Sequence, residues 1–454
     1  MKNKVPSVCI LAFSVFAIVT ALGGGSSRPD IYWLLFVRPV TVICLMAMLL
    51  SAKRLPWAEI QPLPLLFAAF AITIGIQLIP LPPALWHGIP GRAQYAAVAA
   101  ALNGLHDWHP LSLAPDRTWN SLISLLVPFT AMVGFLILND QQRRALLWPI
   151  LGFVAFSMLL GLVQYAGGAS SSFYWYSVSG RGQPIGLFAN RNHQGAFLTL
   201  ALPLLRVWAL QAQESSSARK LRNIIGISAA AFIFVYILVL GSRAAMGLTI
   251  IGLLGAFLVQ PSYGSGRLMT KRQRILIVVS LLIGVLLLTL AALNADRAET
   301  IMRIVHNNNF LETEGRVRAL PTLLHIISQT FPFGTGFGSF VPVYASFEPD
   351  YLLKPTYFNN AHNDLIELTI TGGLPSLLVL VAFLVWYGRA VYRSFTVSSP
   401  TSILQRAVAF SILILLLSSL GDYPLRTPFL GALFIVFTCW LAALQKKNLL
   451  ENYR

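Results

Sequence analysis

The stretch NNAHNDLIELTITGGLPSLLVLVAFLVW, Asn359 to Trp386, sets a dense polar head directly on an apolar run. A helix needs about 20 residues to cross the hydrocarbon core of a bilayer, and a span over 362–388 meets that length. The head carries His362, Asn363, Asp364 and Glu367 at the start of the span. Ahead of it lies the longest stretch that is not membrane-apolar, roughly 295–361. It contains Glu314-Gly315-Arg316, a further Arg318, and the glycine-rich run FPFGTGFGSF at 331–340. Two other polar outliers stand upstream: GLFANRNHQGAFL at 186–198, and a lone arginine in LGSRAAM at 240–246.

The rest of the chain makes these outliers conspicuous. Of 454 residues, 56% are hydrophobic and only 11% charged, which excludes a soluble globular chain. Repeated apolar runs of roughly 18–22 residues predict transmembrane helices, and the period-two alternation of a transmembrane β-barrel is missing. Twelve spans are expected, near 5–23, 31–51, 62–81, 118–139, 146–166, 193–211, 222–241, 244–260, 275–294, 362–388, 403–420 and 428–445. Spans seven and eight are separated by almost nothing around Ser242, which calls for a tight outer turn. The first run lacks a small-x-small cleavage site and reads as a helix rather than a signal peptide. Cys9, Cys44 and Cys439 lie inside apolar runs without metal or disulfide spacing.

Basic residues set the orientation. With Lys2 and Lys4 inside, the cytoplasmic segments collect 20 basic residues against four acidic ones, while the outer segments hold 12 of each. The net charge of +17 is then a topology signal, and no basic patch suited to nucleic acid accompanies it. The expected fold is an all-α integral membrane protein with both termini cytoplasmic and one large outer loop. The outer loop 82–117 reads as carrying an interfacial helix from Gly91 to Leu105, with Trp86 and Trp108 at headgroup level. The loop 167–192 carries the aromatic cluster Phe173 to Tyr176, and 295–361 is expected to hold short helices near 297–306 and 314–329. Three regions follow: helices one to five over 1–186, a core over 187–388 that includes the loop 295–361, and the last two spans over 389–454.

This topology puts all three polar outliers on the outer side. Arg191, Arg243 and Arg316 each present a planar, permanently charged fork that grips phosphate oxygens in pairs. Interfacial arginines also commonly snorkel to lipid phosphates with no other role, and Arg38 is read that way. His362, flanked by Asn360, Asn363 and Asp364, is placed to take a proton near neutral pH, or to cap its helix. His193, behind Asn190 and Asn192, is a second candidate. The acidic pairs Glu312/Glu314, Glu348/Asp350 and Asp364/Glu367 offer a competing metal reading, but no His/carboxylate ligand spacing accompanies them. The run Gly334 to Gly338 is no dinucleotide fingerprint. It suits a tight turn or close approach to a ligand.

As a set, these motifs resemble the O-antigen ligase/polymerase superfamily, membrane glycosyltransferases that use glycans carried on undecaprenyl diphosphate. The resemblance covers roughly Leu187 to Leu380. SerArgAlaAla (242–245) resembles the family's SR stretch, and GluGlyArg (314–316) its GR motif. The 331–340 run resembles P-x-x-G-x-G-x-G, and AlaHisAsnAspLeu (361–365) followed by GlyGlyLeuPro resembles its HN-x-x-L signature. AsnArgAsnHisGln (190–194) is similar to an N-x-N-H stretch that usually has proline where Arg191 stands, and Leu320 stands where the GR motif usually has tryptophan. The resemblance implies a GT-C-like fold in the bacterial inner membrane with its site facing the periplasm. It further implies metal-independent, cofactor-free transfer from an undecaprenyl-diphosphate-linked glycan donor to lipid A–core or a growing glycan. Catalytic roles would fall to His362, Arg316 and Arg243, and substrate contacts to Arg318, Arg191, Asn192, His193 and Asn363. A ligase, a polymerase and a protein oligosaccharyltransferase share this motif set. Twelve spans also suit a transporter, although transporters place polar residues at mid-membrane.

Overall fold

The computed structural model describes residues 5–104, 106–211, 216–259, 310–353, 358–396 and 401–452. In chain order the helices used below are α1 (Ser7–Gly23), α2 (Leu34–Ser51), α3 (Leu63–Ile76), α4 (Ala93–Ala101), α5 (Pro115–Ser124), α6 (Leu126–Ile137), α7 (Leu147–Ala166), α8 (Arg191–Leu210), α9 (Ser216–Leu240) and α10 (Arg243–Leu258), followed by α11 (Phe310–Thr330), α12 (Phe340–Phe347), α13 (Asp364–Thr396), α14 (Ser402–Ser418) and α15 (Pro428–Asn452). The sole strand pair among the described residues joins Pro80–Leu81 to His109–Pro110, antiparallel. Among the described residues, six helical stretches are long and apolar enough to cross a membrane, and four shorter apolar helices accompany them. This is an all-α, multi-pass membrane architecture.

Eleven of the twelve expected spans coincide with described helices; the ninth, 275–294, lies outside the described residues, as does the short helix expected at 297–306. The fourth is two helices, α5 and α6, meeting at Leu125. The outer loop's helix is shorter than expected, only α4. Arg38 is not deep in its span. It lies one turn into α2, and its guanidinium donates to Asn120 Oδ1 at 2.5 Å.

Helix α8 is the buried centre, packed against α7, α9, α10 and α14. Lipid tails give apolar helices little reason to associate, so close backbone approach must hold them. Small residues permit it: a Cβ on Gly195 would lie 2.2 Å from the Ala245 Cβ, and one on Gly252 would meet Leu202 and Thr199 at 2.9 Å. That seam brings the starts of α8 and α10 side by side. The outward faces of other helices remain apolar and exposed, as at Leu11, Leu35, Ile43, Leu50 and Leu378, where lipid would cover them.

Span ten is one helix by connectivity and two by geometry. Gly373 has φ 60° and ψ −156° inside α13, and Pro375 has no N–H. The carbonyls of Ile370 and Thr371 therefore lose their helical donors. The glycine-rich run replaces them: Thr335 N–H donates to Ile370 O and Gly336 N–H to Thr371 O, both at 2.9 Å, while Leu374 N–H turns to Pro332 O at 2.8 Å. Gln77 from beyond α3 adds a third tie, donating to Thr371 O at 3.0 Å and accepting from Phe337 N–H at 2.9 Å. Gly334, Gly336 and Gly338 all have positive φ, and a Cβ on Gly336 would sit 2.1 Å from Ser112 Oγ. The run's close approach is to the chain's own backbone.

Candidate functional site

The segment entering α8 is fixed from α7. Gln164 donates to Gly186 O and accepts from Gly186 N–H, at 2.9 and 2.8 Å, and Ser157 Oγ accepts from Leu187 N–H at 3.1 Å while donating to Gln194 at 2.7 Å. Asn190 then caps α8, its side chain accepting from Asn192 N–H at 2.8 Å. Across the seam, the tight turn expected at Ser242 is present. Gly241 takes φ +65°, Ser242 caps α10 by accepting from Ala245 N–H at 3.1 Å, and Arg243 is the first helical residue. Ser242 Oγ also donates to Asn192 Oδ1 at 2.7 Å, which binds the two helix starts together.

Asn192 faces the other way to Asp422, in the turn between α14 and α15. The Asp422 Oδ2 accepts from Asn192 Nδ2 at 2.6 Å and from Asn190 Nδ2 at 3.1 Å, and Oδ1 accepts from Tyr423 N–H at 3.0 Å. Two imidazoles approach the same carboxylate: His193 Nε2 at 3.7 Å and His362 Nδ1 at 3.6 Å from Oδ1. Both separations exceed hydrogen-bond length, so these are charge contacts. The Tyr423 ring lies between the imidazoles, 5.4 Å from His193 and 5.0 Å from His362, centroid to centroid. Burial alone would raise the Asp422 carboxyl, but the two histidines overcome it and hold it well below the usual carboxylate range. It is an anchored negative charge.

His362 differs from His193 in exposure. The His193 side chain is 1% exposed, and that of His362 is 17%. The His362 Nδ1 is buried and turned to Asp422, and Nε2 lies on the other side of the ring. Its backbone has φ +53°, unusual outside glycine and commonest at constrained functional positions. Local ties hold it there. Asn363 Oδ1 caps α13 through the N–H groups of Leu365 and Ile366, its Nδ2 donates to Leu420 O at 2.9 Å, and Ala361 N–H donates to Glu367 Oε2 at 2.8 Å. Arg426 then clamps α13 from the same turn as Asp422, reaching Asp364 at 2.8 Å and the 2%-exposed Glu367 at 2.7 Å.

Among the expected site residues, Asn192, His193, His362 and Asn363 therefore share one connected cluster, with Arg243 adjoining it. Asn363 serves as a helix cap. Arg191 begins α8. Arg243 is exposed and opens onto a cleft of about 240 Å3 lined by Gly247, Leu248, Ile251, Leu417 and Gly421, so an arginine tops an apolar recess beside Asp422. Arg316 is part of α11, but its side chain lies outside the described ones; the helix packs through Ala319, Leu323 and Ile326 onto the small core that includes Ala361. Arg318 is exposed, its guanidinium 5.0 Å from the centre of the Tyr351 ring. Among the described residues no group of three or more His, Cys, Asp or Glu side chains is placed to hold a metal ion.

Sequence reasoning missed Asp422 and Arg426. A signal existed: Asp422 is the sole acidic residue between Glu367 and Glu451, and it stands in a short turn next to Gly421 and Pro424.

No curated protein matches the chain. A family model described as O-antigen ligase matches residues 225–381, the region that carries Arg243, Arg316 and His362. Those residues, about a third of the chain, are thus similar to the O-antigen ligase family.

Proposed function

We propose that the chain transfers a glycan from undecaprenyl diphosphate to an acceptor hydroxyl, with inversion, at the outer face of a bacterial inner membrane. The observation that carries this reading is the Asp422-backed His362 standing beside an arginine-topped apolar recess. The acceptor oxygen attacks the anomeric carbon as its proton passes to His362 Nε2. The bond from that carbon to the diphosphate oxygen breaks, and its electron pair leaves with undecaprenyl diphosphate. Asp422 holds the ring by its Nδ1 edge and stabilises the imidazolium. Arg243 and Arg316 offset charge that grows on the departing diphosphate, a term that often dominates such steps. The recess below Arg243 suits the first isoprene units. None of these steps requires a metal. Arg318 and Arg191 are helpers at the diphosphate or glycan.

The acceptor we favour is lipid A–core. A polymerase that lengthens the donor glycan shares every element of this chemistry, because the acceptor differs and the donor does not. The test is transfer by purified protein from undecaprenyl-diphosphate-linked glycan to lipid A–core, with and without EDTA. Capped lipid A formed in EDTA and lost in His362→Ala is the expected result. Lengthened donor with unmodified lipid A would replace the ligase reading with the polymerase one, and full activity in Arg243→Ala would remove the diphosphate clamp.

A further inference from the structure

A second cleft, of about 680 Å3, lies at the opposite end of the bundle, between the 58–66 segment, α13 and α15. Its volume falls in the range of small-molecule sites, about 300–1,000 Å3. Leu66, Val385 and Trp386 form apolar walls, and Arg389, Arg393 and Lys446 supply charge. Arg389 stands 25 residues beyond Asp364 on α13, about 38 Å of path along the two helical parts at 1.5 Å per residue. Nothing in the transfer site reaches it.

The charge balance there is one-sided. The acidic groups of this end are already engaged: Glu59 accepts from Arg143 at 2.7 Å, and Asp140 from Lys447 at 2.6 Å. Lys446 gives one N–H to Ala58 O at 2.7 Å and keeps two. Arg389 and Arg393, one turn apart and both exposed, have no hydrogen-bond or ion-pair partner among the described residues. A positive-inside excess explains basic residues at this end, but not their gathering over an apolar cleft that opens between helices. Uncompensated arginines above an apolar wall complement an anionic head with acyl chains, the chemistry of basic inter-helix pockets for acidic lipids.

We propose that this cleft holds the head of an anionic glycerophospholipid of the inner leaflet, its phosphate between Arg389 and Arg393 and its first methylenes against Trp386 and Leu66. Binding is independent of the transfer chemistry, so the test reads lipid retention alone. Delipidated full-length protein is given phosphatidylglycerol or phosphatidylcholine at equal concentration, and bound lipid is counted by native mass spectrometry. Phosphatidylglycerol should be retained at least tenfold more strongly. The double variant Arg389→Gln/Arg393→Gln should lose about thirtyfold, roughly fivefold per basic side chain. Lys53→Gln/Arg54→Gln, on the same face but outside the cleft, should leave retention unchanged. Equal retention of the two lipids would overturn the proposal. So would an equal loss in the Lys53/Arg54 control, which would mean diffuse surface charge. Matching thermal melts of both variants and wild type exclude misfolding as the cause.

Discussion

Replacing Asp422 with asparagine keeps the size of the side chain and removes its charge. The carboxylate accepts three hydrogen bonds, from Asn190, Asn192 and Tyr423 N–H, and faces two imidazoles at 3.6 and 3.7 Å. An amide has one acceptor oxygen, so either orientation turns its NH2 towards a donor. If the oxygen stays with Asn190 and Asn192, the NH2 confronts Tyr423 N–H and both rings. One bond to a charged acceptor is then lost, worth about 1.5–3 kcal/mol of stability. The larger effect is on catalysis. An imidazolium 3.6 Å from a carboxylate gains about 4–5 kcal/mol at an effective dielectric near 20. Water reaches the exposed edge of His362, so about half of that is a fair expectation for the barrier, a fall of roughly 30- to 70-fold in single-turnover transfer. Donor KM should hardly move, because Asp422 is buried beneath the ring and touches no substrate. The sign of its pH effect is also set. A carboxyl lowered in the folded state contributes stability above its unfolded value near pH 4. That stability disappears only as the pH falls through the lower folded value, so Asp422 should add no limb to a transfer profile between pH 5 and 8. Single-turnover rates and melts of wild type, Asp422→Asn and His362→Ala provide the assay. Asp422→Asn within threefold of wild type, with His362→Ala inactive, would refute the argument that the buried charge supports the histidine.

Two further perturbations test the frame around the site. Arg426→Ala should leave Glu367, 2% exposed, without its cation, lowering stability by about 3–5 kcal/mol in detergent melts, whereas Arg426→Lys should restore part of it. Gly336→Ala puts a Cβ 2.1 Å from Ser112 Oγ at φ +102°, with about 1–3 kcal/mol from the backbone alone. Expression and activity should both fall, while Gly152→Ala, with nothing within 4 Å, should behave as wild type in the same melts.

The spans and the tight turn at Gly241–Ser242 were legible because each is written in local pattern: an apolar run of bilayer length, or a glycine and a capping serine between two runs. The motif histidine was legible for a similar reason, since His362 sits in a compact polar word at the head of a span. Asp422 was not. Its partners Asn190 and Asn192 are more than two hundred positions away, and no periodicity joins a short turn near the C-terminus to the start of α8. The break in α13 was equally hidden. Gly373 and Pro375 were in view, but the donors that make the break tolerable come from the 331–340 run, whose glycines read equally well as a ligand cradle. The site is thus assembled from three separate regions, and Asp422 and Asn190 to His193 lie outside the matched 225–381. A graft of that matched region into a relative would carry His362 without the carboxylate behind it.

The broken helix also has a mechanical meaning. Above Gly373, the first turns of α13 are stitched to the glycine-rich run and, through Arg426, to the α14–α15 turn. Below it, the helix is held by other neighbours: Tyr387 Oη donates to Ala409 O on α14, Arg406 to Ser394 O, and Gln445 on α15 to Ala390 O. The two parts meet at Gly373, whose φ and ψ are not helical, with Ser376 Oγ donating back across the joint to Leu368 O at 3.3 Å. One span thus answers to two sets of neighbours, the glycine-rich run above the joint and the bodies of α14 and α15 below it, and the head that carries the histidine takes its direction from the first.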